Sequence, residues 1–342
     1  MTPLVSIIVP MYNVESFIEE CAESLLRQTL SSIEIIFVND GSPDRSADIA
    51  EAYAKRDARI QVIHKPNGGL SSARNAGMKI ARGTYIGFVD GDDYVAETMF
   101  QRLAEEAEKD RLDIAGCGFY KQTSQRRTYV PPQLETARVL TREDIAERLK
   151  QAHESRFIWY VWRYLYRREM LERVNLSFDE EIRFAEDSPF NLSAFFAAKR
   201  VKMLDEGLYM YRENPDSLTE APYKPLMDEN LQKQYKAKTA FYENHGLTDM
   251  CKEDLETYIC KHQIPMLLAN ACASSQSSRE IKTRIRHVLS YAMVQEAVRN
   301  TSWGHKKLLK GERIVLGLCK LRQPFLLKLF FEWQRKPKGS AG

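Results

Sequence analysis

The chain has 342 residues, 44% of them hydrophobic and 28% charged, which is ordinary for a folded globular protein. Its formal net charge of +3 is too small to indicate nucleic acid binding, so we expect no nucleic acid partner. The six cysteines lack C-x-x-C spacing, which argues against a zinc site or a disulfide framework and favours a reducing cytosol. The amino terminus lacks a basic segment, and no run approaches the roughly 18–20 apolar residues of a membrane helix, so we expect a cytoplasmic protein.

Strands and helices alternate regularly in the first third of the sequence. Apolar, β-branched runs predict strands over residues 4–9, 33–38, 60–63 and 85–89. Apolar residues at helical spacing and capping residues predict helices over about 17–26, from Ser42 onward and over 71–81. This order predicts an α/β fold, with a mainly parallel sheet and helices on both faces.

The pattern is less regular in the rest of the sequence. A polar segment, 126–140, predicts a loop or linker. Other signals predict a strand near 114–117 and helices at about 98–109, after Thr141, from Ser188-Pro189 and from 226 onward. We therefore divide the chain into residues 1–112, 113–220 and a helical C-terminal region, 221–342.

An aromatic cluster lies in the middle part: Phe157, Trp159, Tyr160, Trp162, Tyr164 and Tyr166. Aromatic faces suit sugar rings at an acceptor site, but such density more often indicates core packing. We favour the core for most of these residues.

A group of carboxylates, Asp90-Gly91-Asp92-Asp93, ends the fourth predicted strand. Because strand side chains alternate, Asp90 and Asp92 would lie on the same face and Asp93 on the other. Two carboxylates on one face suit Mg²⁺ or Mn²⁺, which typically bridges a carboxylate and substrate phosphates. An acidic turn that binds nothing is the alternative.

Three further loops follow predicted strands and should meet at the same sheet edge. The loop after the second strand carries Asp40, which could accept a hydrogen bond from a nucleotide base. Gly68–Asn75 places small residues and Arg74 at a helix start, where backbone amides and a guanidinium favour a diphosphate. A tight turn and a surface salt bridge are the alternatives for the glycine pair and for Arg74.

These motifs resemble the signature series of the family 2 inverting glycosyltransferases, which have the GT-A fold. The resemblance covers roughly residues 4–100 through V-S-I-I-V-P-x-Y-N, V-N-D-G-S, Gly68–Gly77 and Asp90–Asp93. It continues more weakly through 162–168, 184–190 and 211–217, where it is similar to bacterial capsule and exopolysaccharide members, including those of Bacillus-type biofilm operons.

The resemblance implies a role for each motif. It implies transfer of a hexose or N-acetylhexosamine from a nucleotide-diphosphate sugar, UDP-linked, to a lipid-linked exopolysaccharide acceptor, beside other exopolysaccharide synthesis proteins. The uracil–ribose part would be contacted by Pro10, Tyr12, Asn13 and Asp40. Arg74 would contact the base or diphosphate, Asp90 the ribose, and Asp92 would bind Mn²⁺ or Mg²⁺. Processive relatives carry a Q-x-x-R-W box and membrane helices; this chain has neither, so we expect one sugar per encounter.

Asp187, in the Glu186-Asp187 pair, would be the catalytic base by the same resemblance. Ser188 as N-cap and Pro189 as the first helical residue would place Asp187 just outside a helix N-terminus. The helix dipole would keep it ionised, while Glu186 would act in the opposite direction. The alternative is that Asp187 only caps the helix.

Two other functions are alternatives to sugar transfer. A nucleotidyltransferase that makes the activated sugar usually has a Gly-rich basic loop after its first strand, where this chain has Pro10-Met11-Tyr12-Asn13. A catalytically silent nucleotide-binding subunit of a synthase complex would be expected to lose its carboxylates, and those are present.

The C-terminal tail is strongly basic, since residues 299–342 hold eleven Lys and Arg and two Asp and Glu, a local charge of 11 − 2 = +9. Lys306, Lys310, Arg313 and Lys320 form a stripe at helical spacing, opposite Leu308, Leu309, Val315, Leu316 and Cys319. After Pro324, Phe325–Trp333 is more hydrophobic and carries Lys328. Peripheral membrane contact through 305–336 and a pair of helices packed on the catalytic domain with a solvated charged face remain equal alternatives.

Overall fold

The computed structural model describes residues 2–123, 125–213, 223–275 and 277–335, with the side chains of 334 and 335 left out. It divides the chain into two compact units, Met1–Asn214 and Pro215–Gly342. The boundaries placed near 112 and 221 stay predictions, and residue 221 falls outside the described residues.

The strands of the first unit form one sheet. Within the described residues its strands are β1 (Val5–Met11), β2 (Ile33–Asn39), β3 (Ile60–His64), β4 (Tyr85–Phe88), β5 (Tyr94–Val95), β6 (Ile114–Gln122), β7 (Arg127–Val130), β8 (Leu140–Thr141), β9 (Tyr164–Arg167) and β10 (Arg200–Arg212). The spatial order is β3-β2-β1-β4-β9-β6-β10-β5, with β7 beside β6 and β8 beside β10.

Helices connect these strands. They are α1 (Ile18–Leu26), α2 (Ser46–Ala54), α3 (Leu70–Ile80), α4 (Met99–Lys109), α5 (Arg142–Leu149), α6 (Ala152–Ser155), α7 (Arg168–Arg173) and α8 (Asp187–Ala197), with a 3₁₀ turn at Val161–Arg163.

The N-terminal part of the sheet is parallel, because β2 pairs with β3 and β1 pairs with both β2 and β4 in that sense. Ile8 faces α3 so closely that a Cβ at Gly77 would lie 2.5 Å from its Cγ2. Ile7 points to the opposite face, into a core shared with Leu25 of α1 and Phe100 of α4. The predicted α/β fold with helices on both faces of a mainly parallel sheet is confirmed.

An antiparallel strand, β9, is inserted between β4 and β6. It comes from the aromatic segment and was not predicted from the sequence. The 13-residue strand β10 was also missed, and the segment predicted as a loop over 126–140 contains β7 and the start of β8. Strands β8, β9 and β10 have partners from distant parts of the chain, which local sequence patterns do not report. Strand β7 pairs with the preceding strand β6.

The second predicted helix begins at Ser46 and not at Ser42. The intervening turn is fixed by Asp44, whose carboxylate accepts hydrogen bonds from the Ser42 hydroxyl, the Ser46 hydroxyl and the Ser46 amide. These hydrogen bonds to Asp44 fix the start of the helix at Ser46, so Ser42 lies outside it. The Ser42 hydroxyl oxygen instead accepts a hydrogen bond from the loop after β1.

The second unit is helical where the structure describes it, as predicted. Its helices are α9 (Met227–Asn244), α10 (Thr248–Tyr258), α11 (Ile264–Ala273), α12 (Ser278–Val288), α13 (Ala292–Asn300), α14 (Lys310–Lys320) and α15 (Pro324–Arg335), with a π-helical segment at Ile259–Gln263. No helix in the described parts of the chain is long and apolar enough to cross a membrane.

Helix α14 packs its apolar side inside this unit. Val315, Leu316 and Cys319 are buried, as is Leu308, whereas Leu309 is exposed and does not share that side as predicted. The apolar side of α14 is therefore covered within its own unit. Membrane contact through 305–336 stays a prediction.

Candidate active site at the sheet edge

Arg74 of α3 joins three carboxylates from distant parts of the chain. Its Nη1 donates to Glu186 Oε1 and to Asp187 Oδ1, each at 2.6 Å. Its Nη2 donates to Asp90 Oδ1 at 2.9 Å. The guanidinium thus places the end of β4 beside the start of α8, and we call Arg74, Asp90, Glu186 and Asp187 the Arg74 cluster.

The Arg74 cluster lies inside the protein, since the Arg74 side chain is only 1% exposed. The alternative of a surface salt bridge is therefore wrong. Removing one partner of such a buried pair typically costs about 3–5 kcal/mol, because the others remain charged in a poorly solvating environment. Arg74 Nε is buried with no hydrogen-bond partner in the described structure, so two of its five N–H groups are unused.

The three carboxylates share one positive charge, and the pKa of two of them is raised, chiefly by burial. Burial, aided by the charge of Asp187 and opposed by Arg74, raises the pKa of Glu186 to about 7. Burial, aided by Asp187 and Asp92 and also opposed by Arg74, raises the pKa of Asp90 to about 6. The region would therefore accept a further positive charge.

Asp187 is the first residue of α8, so the predicted N-cap at Ser188, with Pro189 as the first helical residue and Asp187 outside the helix, is wrong. Ala185, with φ of 52°, turns the chain just before the helix, and the buried Ser188 hydroxyl has no partner in the described structure. Asp187 Oδ2 accepts from the Val161 amide at 3.1 Å. Each carboxylate oxygen therefore uses one lone pair within the protein and keeps one for another donor.

Asp93 has a structural role that the sequence did not reveal. Its carboxylate accepts from the Tyr209 hydroxyl and from the Arg212 amide, each at 2.7 Å. The same tyrosine hydroxyl accepts from the Asp90 amide at 3.1 Å. Strand β10, which carries Tyr209 and Arg212, therefore fixes the turn that presents Asp90 and Asp92.

The acidic turn also lies against the end of β1, because a Cβ at Gly91 would be 3.0 Å from the Pro10 carbonyl oxygen. In the next loop, Asn13 adopts a left-handed backbone with φ of 56° and donates its amide to Ser42 Oγ at 2.7 Å. Tyr12 between them is exposed. Pro10, Tyr12 and Asn13 thus lie at one sheet edge, and their roles toward uracil and ribose stay predictions.

Asp40 is held at the start of α3. Its Oδ1 accepts from Lys65 Nζ at 2.5 Å and from the Gly68 amide at 2.9 Å. Its Oδ2 accepts from the Gly69 amide at 2.7 Å. The amides expected to favour a diphosphate are therefore used by Asp40, whereas one lone pair of Oδ2 remains for a base N–H.

The carboxylates at this edge suit a hard divalent cation. Asp92 and Asp90 lie close enough to Asp93 for their charges to add to burial in raising its pKa, so the turn has excess negative charge. Within the described residues, no group of three or more His, Cys, Asp or Glu has the geometry of a metal site. One or two carboxylates are enough for Mg²⁺ or Mn²⁺ when substrate phosphates complete the coordination. The residues present therefore fit the cation, with Asp92 as the predicted ligand.

Most of the aromatic cluster is core, as favoured from the sequence. Phe157, Trp162, Tyr164 and Tyr166 are buried, and Trp162 stacks on Tyr209 with ring centroids 4.1 Å apart. Tyr160 differs, since it is exposed and stacks on the other side of Trp162 at 4.8 Å.

Known proteins resemble this chain over its length. The profile of Glycosyl transferase family 2 matches residues 6–174. The chain is 74% identical over 341 residues to the uncharacterized glycosyltransferase EpsJ of Bacillus subtilis (strain 168), covering 100% of this chain and 99% of that protein. The chain belongs to glycosyltransferase family 2. The family inferred from the motifs is therefore confirmed, and the family supports glycosyltransferase activity.

Solved structures with low sequence identity to this family 2 chain share its fold. TarS 1–349 of S. aureus in complex with UDP-GlcNAc matches with a TM-score of 0.70 and 20% identity, over 97% of this chain and 91% of that one. The mannosyltransferase PcManGT from Pyrobaculum calidifontis in complex with GDP-Man and Mn²⁺ matches with a TM-score of 0.53 and 15% identity, over 95% and 88%. They confirm the GT-A fold.

Proposed function

We propose that this protein transfers one sugar from a UDP-sugar to a lipid-linked exopolysaccharide acceptor with inversion at the anomeric carbon. The observation that carries the proposal is the Arg74 cluster. It fixes Asp187 beside the carboxylate turn of Asp90 and Asp92, so a base and a donor-binding group face one space.

The proposed reaction is one in-line displacement. The acceptor hydroxyl oxygen forms a bond to the anomeric carbon while the bond from that carbon to the diphosphate oxygen breaks. Asp187 takes the hydroxyl proton, and general base catalysis of this kind typically contributes about 10²–10⁴ in rate. The hydrogen bonds from Arg74 and the Val161 amide orient the Asp187 carboxylate and leave a lone pair on each oxygen for this proton.

Asp92, with Asp90 nearby, would hold Mn²⁺ or Mg²⁺. Such a cation supplies positive charge that stabilises a leaving diphosphate. Asp90 would also accept from a ribose hydroxyl, and the unused Nη2–H of Arg74 would face the donor, since Nε is buried. Support for the metal comes from the carboxylate chemistry of the turn and from the Mn²⁺ in the mannosyltransferase structure.

Two relatives support the choice of donor and acceptor. TarS binds UDP-GlcNAc in its crystal structure, which favours a UDP-linked hexose or N-acetylhexosamine here. Similarity to EpsJ favours a role in exopolysaccharide synthesis with other proteins of that process. A lipid-linked acceptor would require the protein to work at the inner face of the cell membrane.

Nucleotide release tests the proposal. The full-length chain is incubated with a panel of UDP- and GDP-sugars, with and without Mn²⁺, and released nucleotide is measured. We expect release from at least one UDP-sugar and its loss without divalent cation. Asp92→Asn should reduce release, and Glu97→Gln, which changes an exposed acid paired with Arg27 shortly after the turn, should not.

Three results would contradict the proposal. Release that does not depend on a divalent cation with any donor would contradict the proposed role of the metal. Formation of UDP-sugar from UTP and a sugar 1-phosphate would favour the nucleotidyltransferase. Donor binding without release under any condition would favour the catalytically silent subunit.

A further inference from the structure

Helix α15 exposes a continuous apolar face. Phe325, Leu326, Leu329 and Trp333 are spaced so that they share one side of the helix, and they are 44% to 71% exposed. The opposite side is buried through Leu327 and Phe331. Because α15 is apolar on both sides, packing within its own unit buries one apolar side and leaves the other exposed.

A basic groove lies next to this face. It consists of a cavity of about 390 Å³ and an adjoining one of about 290 Å³, which share Leu289, Gln295 and Arg322. Four cations line the two cavities: Arg286, Arg299, Lys320 and Arg322. Leu289, Val294 and Val298 give the groove apolar walls.

The cations of the groove lack opposing charge. No aspartate or glutamate lines either cavity, and within the described residues Arg286, Arg299 and Arg322 form no ion pair. Lys320 donates one hydrogen bond to the Thr301 carbonyl at 2.8 Å, which leaves its charge uncompensated. A cluster of uncompensated guanidinium and ammonium groups is complementary to phosphate.

The groove and the apolar face form one surface. Pro324, the first residue of α15, lines the second cavity, and Phe325 follows it. Leu321, in the turn before Arg322, is exposed as well. The cations of the groove, which are complementary to phosphate, thus lie directly beside side chains that favour an apolar environment.

We propose that this surface docks the protein on an anionic phospholipid membrane. Phosphate headgroups occupy the groove of Arg286, Arg299, Lys320 and Arg322, and the exposed face of α15 enters the boundary between headgroups and acyl chains. A soluble phosphate ligand would account for the groove but not for the apolar face, and an apolar partner would account for the face but not for the cations. Docking does not depend on the proposed chemistry, although a lipid-linked acceptor would make use of it.

Vesicle co-sedimentation tests the docking surface with the full-length chain. Vesicles of phosphatidylcholine alone are compared with vesicles containing phosphatidylglycerol, at low and high salt. We expect binding to the anionic vesicles that weakens with salt. Replacing Arg286, Arg299 and Arg322 by Gln together should lower vesicle affinity about 100-fold, given the usual contribution of a basic residue near an anionic surface.

Matched variants separate charge, apolar contact and misfolding. Replacing the exposed Lys55, Lys236 and Lys252 by Gln removes the same charge elsewhere and should leave vesicle affinity within about twofold of wild type. Leu329→Ser with Trp333→Ser should weaken binding to anionic vesicles while the cations remain. Nucleotide release without vesicles should be unchanged in all three variants, so a failure of docking is distinguishable from a failure of the transferase proposal.

Several outcomes would overturn the proposal. Equal loss of binding in the Lys55 set would show that only net charge matters. Competition by millimolar glycerol phosphate would indicate a site for a small soluble anion. A concentration-dependent sedimentation coefficient abolished by Trp333→Ser, without vesicle binding, would indicate that a second copy of the chain covers the face.

Discussion

Glu186→Gln tests the electrostatics of the Arg74 cluster. Burial and the neighbouring Asp187 charge hold the pKa of Glu186 at about 7, so its ionised form is disfavoured in the folded protein. Glutamine keeps the shape and an oxygen that accepts from Arg74, but it has no proton that titrates in this range. The substitution therefore removes one buried ionisation and preserves the packing.

The magnitude follows from proton binding. Between the ordinary pKa of 4.5 and about 7, the folded protein keeps a proton on Glu186 that the unfolded chain has released. The free energy of unfolding of the wild type therefore falls as pH rises through this window, and the Gln variant lacks that loss. At 1.36 kcal/mol per pH unit the full effect is about 3 kcal/mol, and roughly 2 to 3 kcal/mol of it falls between pH 5 and 8.

Urea unfolding at pH 5, 6, 7 and 8 measures this effect. The free energy of unfolding of Glu186→Gln minus that of wild type should rise by about 2 to 3 kcal/mol across the series. Glu180→Gln is the control, because a hydrogen bond from Asn75 lowers the pKa of Glu180 and its removal should give no such rise. Parallel curves for wild type and Glu186→Gln would refute the reasoning, since they would show no penalty on the ionised form.

Three further substitutions test the site and its support. Asp187→Asn should reduce sugar transfer about 10²- to 10⁴-fold while donor binding persists, and transfer near the wild-type rate would remove Asp187 as the base. Tyr209→Phe removes a hydrogen-bond donor to buried Asp93 and should lower the free energy of unfolding, measured in urea, by about 1–3 kcal/mol. An unchanged free energy of unfolding would show that this hydrogen bond does not stabilise the turn. Gly77→Ala places a Cβ against Ile8 and should destabilise by about 1–3 kcal/mol, so a more stable variant would contradict the close packing.

The parallel part of the fold could be predicted because its signals are local. Strands β1, β2 and β4 are mainly apolar and buried along their length, as expected for strands covered on both faces. The predicted bounds of β1 to β4 differ from those observed by at most two residues. Strand β10 has charged residues at both ends and in its middle, which divide it into short apolar segments. Its position depends on pairing with β6, which only the folded chain provides.

The candidate site could likewise be predicted only in part from the sequence. The place of Asp90 and Asp92 at the sheet edge follows from topology. Strand β4 ends at Phe88 and a turn follows it, so strand alternation does not set the orientation of these two side chains. The contacts of Arg74 with Glu186 and Asp187 join residues more than 100 positions apart, so no local pattern could indicate them. Likewise, the sequence did not indicate that Asp40 would occupy the amides of Gly68 and Gly69.

The insertion of β9 has a consequence for synthesis of the chain on the ribosome. Strand β4 pairs with β1 along one side, and its other side is covered only when β9, some 80 residues later, has been made. Until then the nascent sheet presents the backbone N–H and C=O groups of a buried apolar strand at an open edge, which is the geometry that recruits other chains into aggregates. A fragment that stops near residue 112 keeps this edge permanently, so it is expected to be insoluble when expressed alone.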